Sequence, residues 1–302
     1  MSEPKTDPEM TPPDSAAPPS PVRTFIVQAF GVTDRGRVRP SNEDSFLIAE
    51  LARTLLVHHT SLPESPAQYS SRRGHLFLVA DGMGGHQAGE VASAMSVGSM
   101  EAFLLNTLKR FFFLKSPEEQ TVLQEFQNAL RQADARIFEE AAQHPELLGM
   151  GTTLTMGFAV NWKLYVAHAG DSRCYLFSGG NLQQVTHDHT MVAEMVRRGV
   201  LSPEEAVTSK YRNVITNVLG GRTPGVQAEL HKLDLAPGDT VLLCSDGLTG
   251  MVGDERIGSL LQEEEDPQMA CEQLVADANE RGGKDNITVI VARFKDCEIA
   301  AD

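Results

Sequence analysis

The chain has 302 residues, 41% of them apolar and 22% charged, the composition of a soluble globular protein with a sizeable core in one large domain or two small ones. With 26 Lys+Arg against 41 Asp+Glu the net charge is -15, which argues against a broad basic face for nucleic acid or anionic lipid. No apolar run approaches the roughly 20 residues of a membrane span, no basic-then-apolar export signal opens the chain, and Cys174, Cys244, Cys271 and Cys297 form no Cys-x-x-Cys pair. These features predict a cytosolic protein whose cysteines are buried free thiols.

Residues 1–22 hold 7 of the 16 prolines and almost nothing branched or aromatic, so they cannot offset their own ordering entropy and are expected to form a disordered tail. Strand-like runs follow at 24–30, 45–49, 75–80, 153–160, 163–169, 173–177, 240–244 and 286–293. Residues 51–73 carry no period and lie between two such runs, which reads as an inserted surface hairpin loop. A helix is expected over about 88–114, its Phe111 to Leu114 end facing the core. Another is expected over 117–143, where Val122, Phe126, Ala129, Leu130, Ala133, Ile137 and Ala141 recur at three- and four-residue steps behind Ser116 and Pro117. Two more helical patterns stand near 191–198 and 266–280, and 188–225 is expected to be a mostly helical, flap-like excursion of the kind that carries specificity. Consecutive strand runs are separated by Asn and Gly turns at Val160-Asn161-Trp162 and Ser178-Gly179-Gly180-Asn181, which favours antiparallel hairpins over parallel crossovers. The expected fold is α+β, antiparallel sheets with helices packed outside.

The aspartates punctuate these runs. Asp44 closes Arg39-Pro40-Ser41-Asn42-Glu43-Asp44, Asp81 opens Asp81-Gly82-Met83-Gly84-Gly85-His86, Asp171 stands in Gly170-Asp171-Ser172-Arg173, Asp246 in Cys244-Ser245-Asp246-Gly247, and Asp285 in Gly282-Gly283-Lys284-Asp285-Asn286. Any one of them alone reads as turn chemistry, the carboxylate bonding nearby backbone N–H groups. All five border apolar strands whose ends meet in a compact sheet protein, and converging carboxylates repel by roughly 4 kcal/mol per pair at 4 Å and an effective dielectric near 20. Something cationic must then sit among them. Oxygen ligands without thiolate or imidazole neighbours favour magnesium, manganese or calcium over zinc, and the glycine after Asp81 lets a backbone carbonyl join the coordination shell. Two such ions suit hydrolysis of a phosphate ester, and Arg39 offers a planar fork for two phosphate oxygens. Taken alone, Arg39 reads first as a solvated arginine in series with Arg35 and Arg37.

Taken in order, these five blocks resemble the motifs of the PPM metal-dependent serine/threonine phosphatases, the protein phosphatase 2C-like family, in its compact bacterial form. The resemblance spans about residues 24 to 294 and extends to Gly151-Thr152-Thr153, Thr186-His187-Asp188-His189 and the stretch 213–220. It implies a four-layer sandwich, two antiparallel β-sheets flanked by α-helices, in a single catalytic domain over 23–296, with a short tail at 297–302. It also implies two core Mn2+ or Mg2+ ions at one end of the sandwich. Asp81 would bridge them, Gly82 would offer its carbonyl, Asp246 and Asp285 would hold the first ion, and Glu43 and Asp44 would bind directly or through water. Asp171 matches the position that helps bind a third, weaker ion. Arg39 would grip the phosphate, and a water activated by the metals would replace a covalent phospho-enzyme, in keeping with the lack of a Cys-x5-Arg motif. His86 is the candidate proton donor to the leaving alkoxide, weighed against a structural role at a helix start, because in animal relatives the histidine directly follows Asp-Gly, where Met83 stands here.

Two local signals are set aside. His187-x-His189 could ligate zinc, but no further Cys or His lies near in sequence, so a structural or substrate-loop role is expected. Gly82-Met83-Gly84-Gly85 lacks the Lys-Ser/Thr ending of a nucleotide loop. The implied activity is hydrolysis of phosphoserine and phosphothreonine in proteins by a monomer opposing a serine/threonine kinase. The alternatives are a catalytically silent phosphoprotein-binding module and a phosphatase dedicated to one regulatory protein.

Overall fold

The structure, a computed structural model, describes residues 25–52, 73–84, 87–111 and 119–297. The expectations for the 1–22 tail, most of the 51–73 insertion, His86, Ser116 and Pro117, and all but the first residue of the C-terminal tail fall outside the described residues.

The first strands are β1 (Phe25–Asp34), β2 (Asp44–Ala52) and β3 (Arg73–Met83), followed by helices α1 (Gln87–Phe111) and α2 (Glu119–Gln143). Next come β4 (Gly151–Thr152), β5 (Leu154–Val160), β6 (Lys163–Ala169), β7 (Arg173–Ser178) and β8 (Asn181–Gln184), then the short helices α3 (Met191–Arg197) and α4 (Pro203–Thr208). The chain closes with β9 (Leu219–Gly220), β10 (Glu229–Asp234), β11 (Thr240–Cys244), α5 (Asp246–Thr249), α6 (Asp254–Glu263), α7 (Pro267–Glu280) and β12 (Ile287–Asp296).

The strands form two antiparallel sheets, one in the order β1-β12-β11-β7-β8, the other β10-β6-β5-β3-β4-β9 with β2 also on β3. The expected hairpin turns are present. Asn161 and Trp162 take φ of 52° and 58° between β5 and β6, and Gly179 and Gly180 take 56° and 82° between β7 and β8, the left-handed pairs that two-residue hairpins need.

The side-chain alternation of a strand explains the four layers. On β3, Leu76, Leu78 and Ala80 point into a core shared with α1 and α2, including Met100, Phe126 and Leu130, while Phe77 and Val79 point to the other sheet. On β11, Val241 and Leu243 meet them there, and Leu242 and Cys244 face Leu260, Leu261 and Leu274 of α6 and α7. Where both faces of a strand are buried, successive positions are apolar, which is why 76–80 of β3 and 241–244 of β11 read as continuous runs. The α+β sandwich expected from the sequence is the fold observed. Cys174, Cys244 and Cys271 are buried free thiols, and Cys297 is half-buried. Among the described residues no helix is long and apolar enough to cross a membrane.

One expectation is corrected. The 188–225 excursion is not mostly helical: it holds α3 and α4, of 7 and 6 residues, then turns and the two-residue β9. Ser202 and Glu205 form a reciprocal capping box at α4, but Tyr211 to Asn213 turn and Gly220, Gly221 and Gly225 all take positive φ, which ends helical propagation.

Candidate metal centre

Every aspartate singled out above sits at one end of the sandwich, where strands stop or start. Asp44 opens β2 and Asp81 lies directly opposite it near the end of β3. Asp171 follows β6, Asp246 follows β11 as the first residue of α5, and Asp285 precedes β12. Arg39, Glu43, Asp81, Gly82, Asp171, Asp246 and Asp285 line one cleft of about 210 Å³, with Asn213 and Ile215 reaching in from the excursion. His86 lies outside the described residues.

The glycines beside two of these aspartates are sterically required. A Cβ on Gly82 would stand 2.1 Å from the Gly89 carbonyl oxygen and 2.6 Å from that of Glu43, and a Cβ on Gly247 would stand 1.9 Å from the Asn286 carbonyl oxygen. No side chain fits there, so Asp-Gly brings the backbones of distant segments together behind the carboxylates. The Asp81 carbonyl accepts from Thr152 Oγ1 and the Thr153 N–H, both at 2.9 Å, and the Asp81 N–H donates to Thr153 Oγ1 at 3.0 Å.

Asn286 builds the Arg39 loop. Its Nδ2 donates to the carbonyls of Arg35 and Ser41, each at 2.9 Å, and its Oδ1 accepts from the Glu43 N–H at 2.9 Å. Arg39 Nη2 donates to Asp285 Oδ2 at 2.6 Å, and the guanidinium side chain remains 53% exposed at the mouth of the cleft. Hydrogen bonding to Asp285 raises the Arg39 pKa against a lowering by burial, with the charges of Asp285, Asp81 and Asp246 adding to the rise.

Ser245 Oγ and Thr288 Oγ1 donate to Asp44 Oδ2 at 2.8 and 2.7 Å. These anchors, and the staple by Asn286, were not assigned from sequence. Ser245 and Asn286 stand within the quoted motifs, but only the strand pairing reveals their partners more than 200 residues away.

Burial pushes the carboxyl groups of Asp44, Asp81, Asp171 and Asp246 above the usual carboxylate range, and their mutual repulsion pushes further. For Asp81 the repelling neighbours are Asp44, Asp246, Asp171 and Asp285. The hydroxyls of Thr288 and Ser245 oppose the rise at Asp44 without cancelling it. Among the described residues three buried carboxylate oxygens at this end of the fold have no hydrogen-bond partner: Asp44 Oδ1, Asp171 Oδ1 and Asp246 Oδ1. Buried, partnerless carboxylate oxygens gathered at one end of the fold, those of Asp171 and Asp246 on residues that line the cleft, are the donor set of a hard divalent cation, so the residues fit magnesium or manganese.

The histidines set aside earlier lie elsewhere. His189 Nδ1 accepts from the Gly170 N–H at 3.1 Å and lies 3.0 Å from Asn217 Nδ2, which is the structural role expected for it.

Residues 67–286 match the protein phosphatase 2C family. The chain is 33% identical over 260 residues to the serine/threonine phosphatase stp of Listeria innocua, covering 86% of this chain and 92% of that protein. It is 35% identical over 274 residues to the serine/threonine protein phosphatase PstP of Mycobacterium tuberculosis, covering 90% of this chain and 46% of that one. Among solved structures, the catalytic domain of PstP in complex with two manganese ions superposes with a TM-score of 0.70 at 33% identity, covering 90% of this chain and all of that one.

Proposed function

We propose, from the premise that this chain belongs to the protein phosphatase 2C family and is a protein serine/threonine phosphatase, that it hydrolyses phosphoserine and phosphothreonine at the carboxylate cleft in a manganese- or magnesium-dependent reaction. The observation that carries the reading is the set of buried, partnerless oxygens on Asp44, Asp171 and Asp246 at the end of the fold whose cleft Asp81, Asp171, Asp246 and Asp285 line. In this assignment Asp81, the Gly82 carbonyl, Asp246 and Asp285 hold two core ions, with Glu43 and Asp44 binding directly or through water, and Asp171 holds a third. When bound, hard divalent ions make water a nucleophile at neutral pH and offset the charge on the phosphoryl oxygens.

The chain's own groups do the rest. Arg39 stands at the mouth, held by the Asn286 staple, and its fork binds the phosphate that enters. Ser245 and Thr288 fix one oxygen of Asp44 and so aim the other. Hydrolysis breaks the bond between phosphorus and the serine or threonine oxygen, and water supplies the new phosphoryl oxygen. The departing oxygen takes up a proton, for which His86 is the proposed donor. The chain is read as a monomer, and the substrates proposed are phosphorylated proteins made by a serine/threonine kinase.

The test is turnover of p-nitrophenyl phosphate and of a phosphothreonine peptide with manganese, with chelator, and by Asp246→Asn. Manganese-dependent turnover that disappears in both controls supports the reading. Phosphopeptide binding without turnover contradicts it in favour of a silent binding module.

A further inference from the structure

A second cluster of metal-ligating groups lies away from the carboxylate cleft, where the stem of the 188–225 excursion meets the edge strand β10. Glu229 and His231 stand two apart on β10, so their side chains share a face, and His187 joins them from the turn before α3. The other two histidines of the cluster have assigned protons. A backbone N–H can only donate, so the Gly170 N–H leaves His189 Nδ1 as an acceptor and puts the ring proton on Nε2, which donates to Glu229 Oε2 at 3.0 Å. His168 is buried, with its pKa pushed down to about 4 by that burial first and by His189 next. Its Nε2 points at the His187 carbonyl at 3.1 Å and its Nδ1 at Thr155 Oγ1 at 2.9 Å. Neither ring has a lone pair left for a ligand.

His187 and His231 differ: each donates to Glu229 through one ring nitrogen, and moving that proton to its other ring nitrogen frees the inner one as a ligand. His187 Nδ1 lies 2.8 Å from Glu229 Oε1, and His231 Nε2 contacts the same oxygen. The three atoms lie within 4.8 Å of one another and open onto a surface cavity, where the His187 side chain is 61% exposed. Burial of Glu229 raises its pKa, but hydrogen bonds from His189, His187 and His231 outweigh that and hold it well below the usual range, so the carboxylate is ionised at neutral pH. Two imidazoles aimed at one oxygen of a fixed carboxylate form a two-histidine, one-carboxylate ligand set with an open outer side. Zinc bond lengths of about 2.0–2.2 Å put tetrahedral ligand atoms roughly 3.3 Å apart, within reach of a rotation of the exposed His187 ring.

We propose that His187 Nδ1, His231 Nε2 and Glu229 Oε1 bind a borderline divalent transition metal, zinc above all, at a site separate from the catalytic carboxylates. Imidazole donors select this class over magnesium. His189, bonded to the far oxygen of Glu229, orients the carboxylate as the outer partner of a metal ligand does. The ion joins the two ends of the excursion that supplies Asn213 and Ile215 to the catalytic cleft. It also bears on that cleft through His189, whose N–H donates to the Gly170 carbonyl at 2.7 Å beside Asp171.

The full chain, stripped with chelator, is dialysed against zinc in excess magnesium and its zinc content measured. One zinc per chain is expected, bound at least about tenfold more weakly in His187→Ala and in His231→Ala and unchanged in Asp246→Asn. Manganese-dependent turnover of p-nitrophenyl phosphate by the two histidine variants reports their folding, and if His231→Ala loses it, the exposed His187→Ala decides alone. No zinc retained against magnesium overturns the proposal. So does zinc that both histidine variants keep unchanged, or zinc lost in Asp246→Asn.

Discussion

Replacing Asp246 by asparagine removes one negative charge from a cluster that has too many. In the folded chain burial and then Asp285 raise the Asp246 pKa from 3.8 to about 6, a difference worth about 3 kcal/mol at 1.36 kcal/mol per unit. Because the folded-state value is the higher one, ionising Asp246 opposes folding. The cost is complete above pH 6, fades as the pH falls, and is gone below the unfolded value near 4. In chelator at pH 8, Asp246→Asn is therefore expected to melt above the wild type, by roughly 5–10 °C for a domain of this size. Manganese should reverse the order. At a hundred times its dissociation constant a ligand stabilises by about 2.7 kcal/mol, and the wild type should receive this while the variant receives little. The assay is a melting curve for both proteins in chelator and in manganese, at pH 8 and at pH 4.5. A variant less stable than the wild type in chelator at pH 8, or one stabilised equally by manganese, refutes the reasoning.

Arg39→Ala should lower kcat/KM for a phosphothreonine peptide by about tenfold or more, the loss of a charge-assisted contact, while manganese still raises the melting temperature; loss of that stabilisation would place the guanidinium with the ions instead. His86→Gln should cut turnover of a phosphoserine peptide by about a hundredfold or more and that of p-nitrophenyl phosphate far less, since p-nitrophenolate leaves without a proton; equal losses would assign His86 a structural role. Thr288→Val leaves Asp44 Oδ2 with the Ser245 hydroxyl alone, and should lower stability by about 1–3 kcal/mol and manganese affinity by about tenfold or more, read by denaturant melts and by metal titration.

The parts of this fold that show in the sequence are those where burial dictates composition. The runs at β3 and β11 are apolar throughout because both of their faces are covered, and α2 shows its period because one face alone is buried. The edge strands β8 and β10 do not show: β10 reads Glu-Leu-His-Lys-Leu-Asp, its residues half-buried or exposed, and its place is set by pairing with β6 rather than by its own pattern. The helix α5 is a single turn, too short for a period.

The site follows the same division. Asp81 and Asp246 mark themselves because each adjoins a strand and a glycine whose only fit is a close backbone approach, and Asp285 because it stands between two glycines of positive φ and a strand. The Ser245 and Thr288 hydroxyls that hold Asp44, and the Asn286 amide that holds the Arg39 loop, do not show, since a serine or threonine beside a strand has a dozen ordinary uses. Distance along the chain hid the second cluster as well. His187 and His189 lacked further ligands nearby, and the missing ones, Glu229 and His231, stand some 40 residues on, delivered by the β6–β10 register that sets Glu229 opposite His168.

That carboxylates from separate strand ends together cage divalent cations is tested most directly by anomalous diffraction at the manganese edge from crystals grown with that ion. Two strong peaks among Asp81, Asp246 and Asp285 are the expected result. A map with no peak within bonding distance of those three side chains would contradict the account.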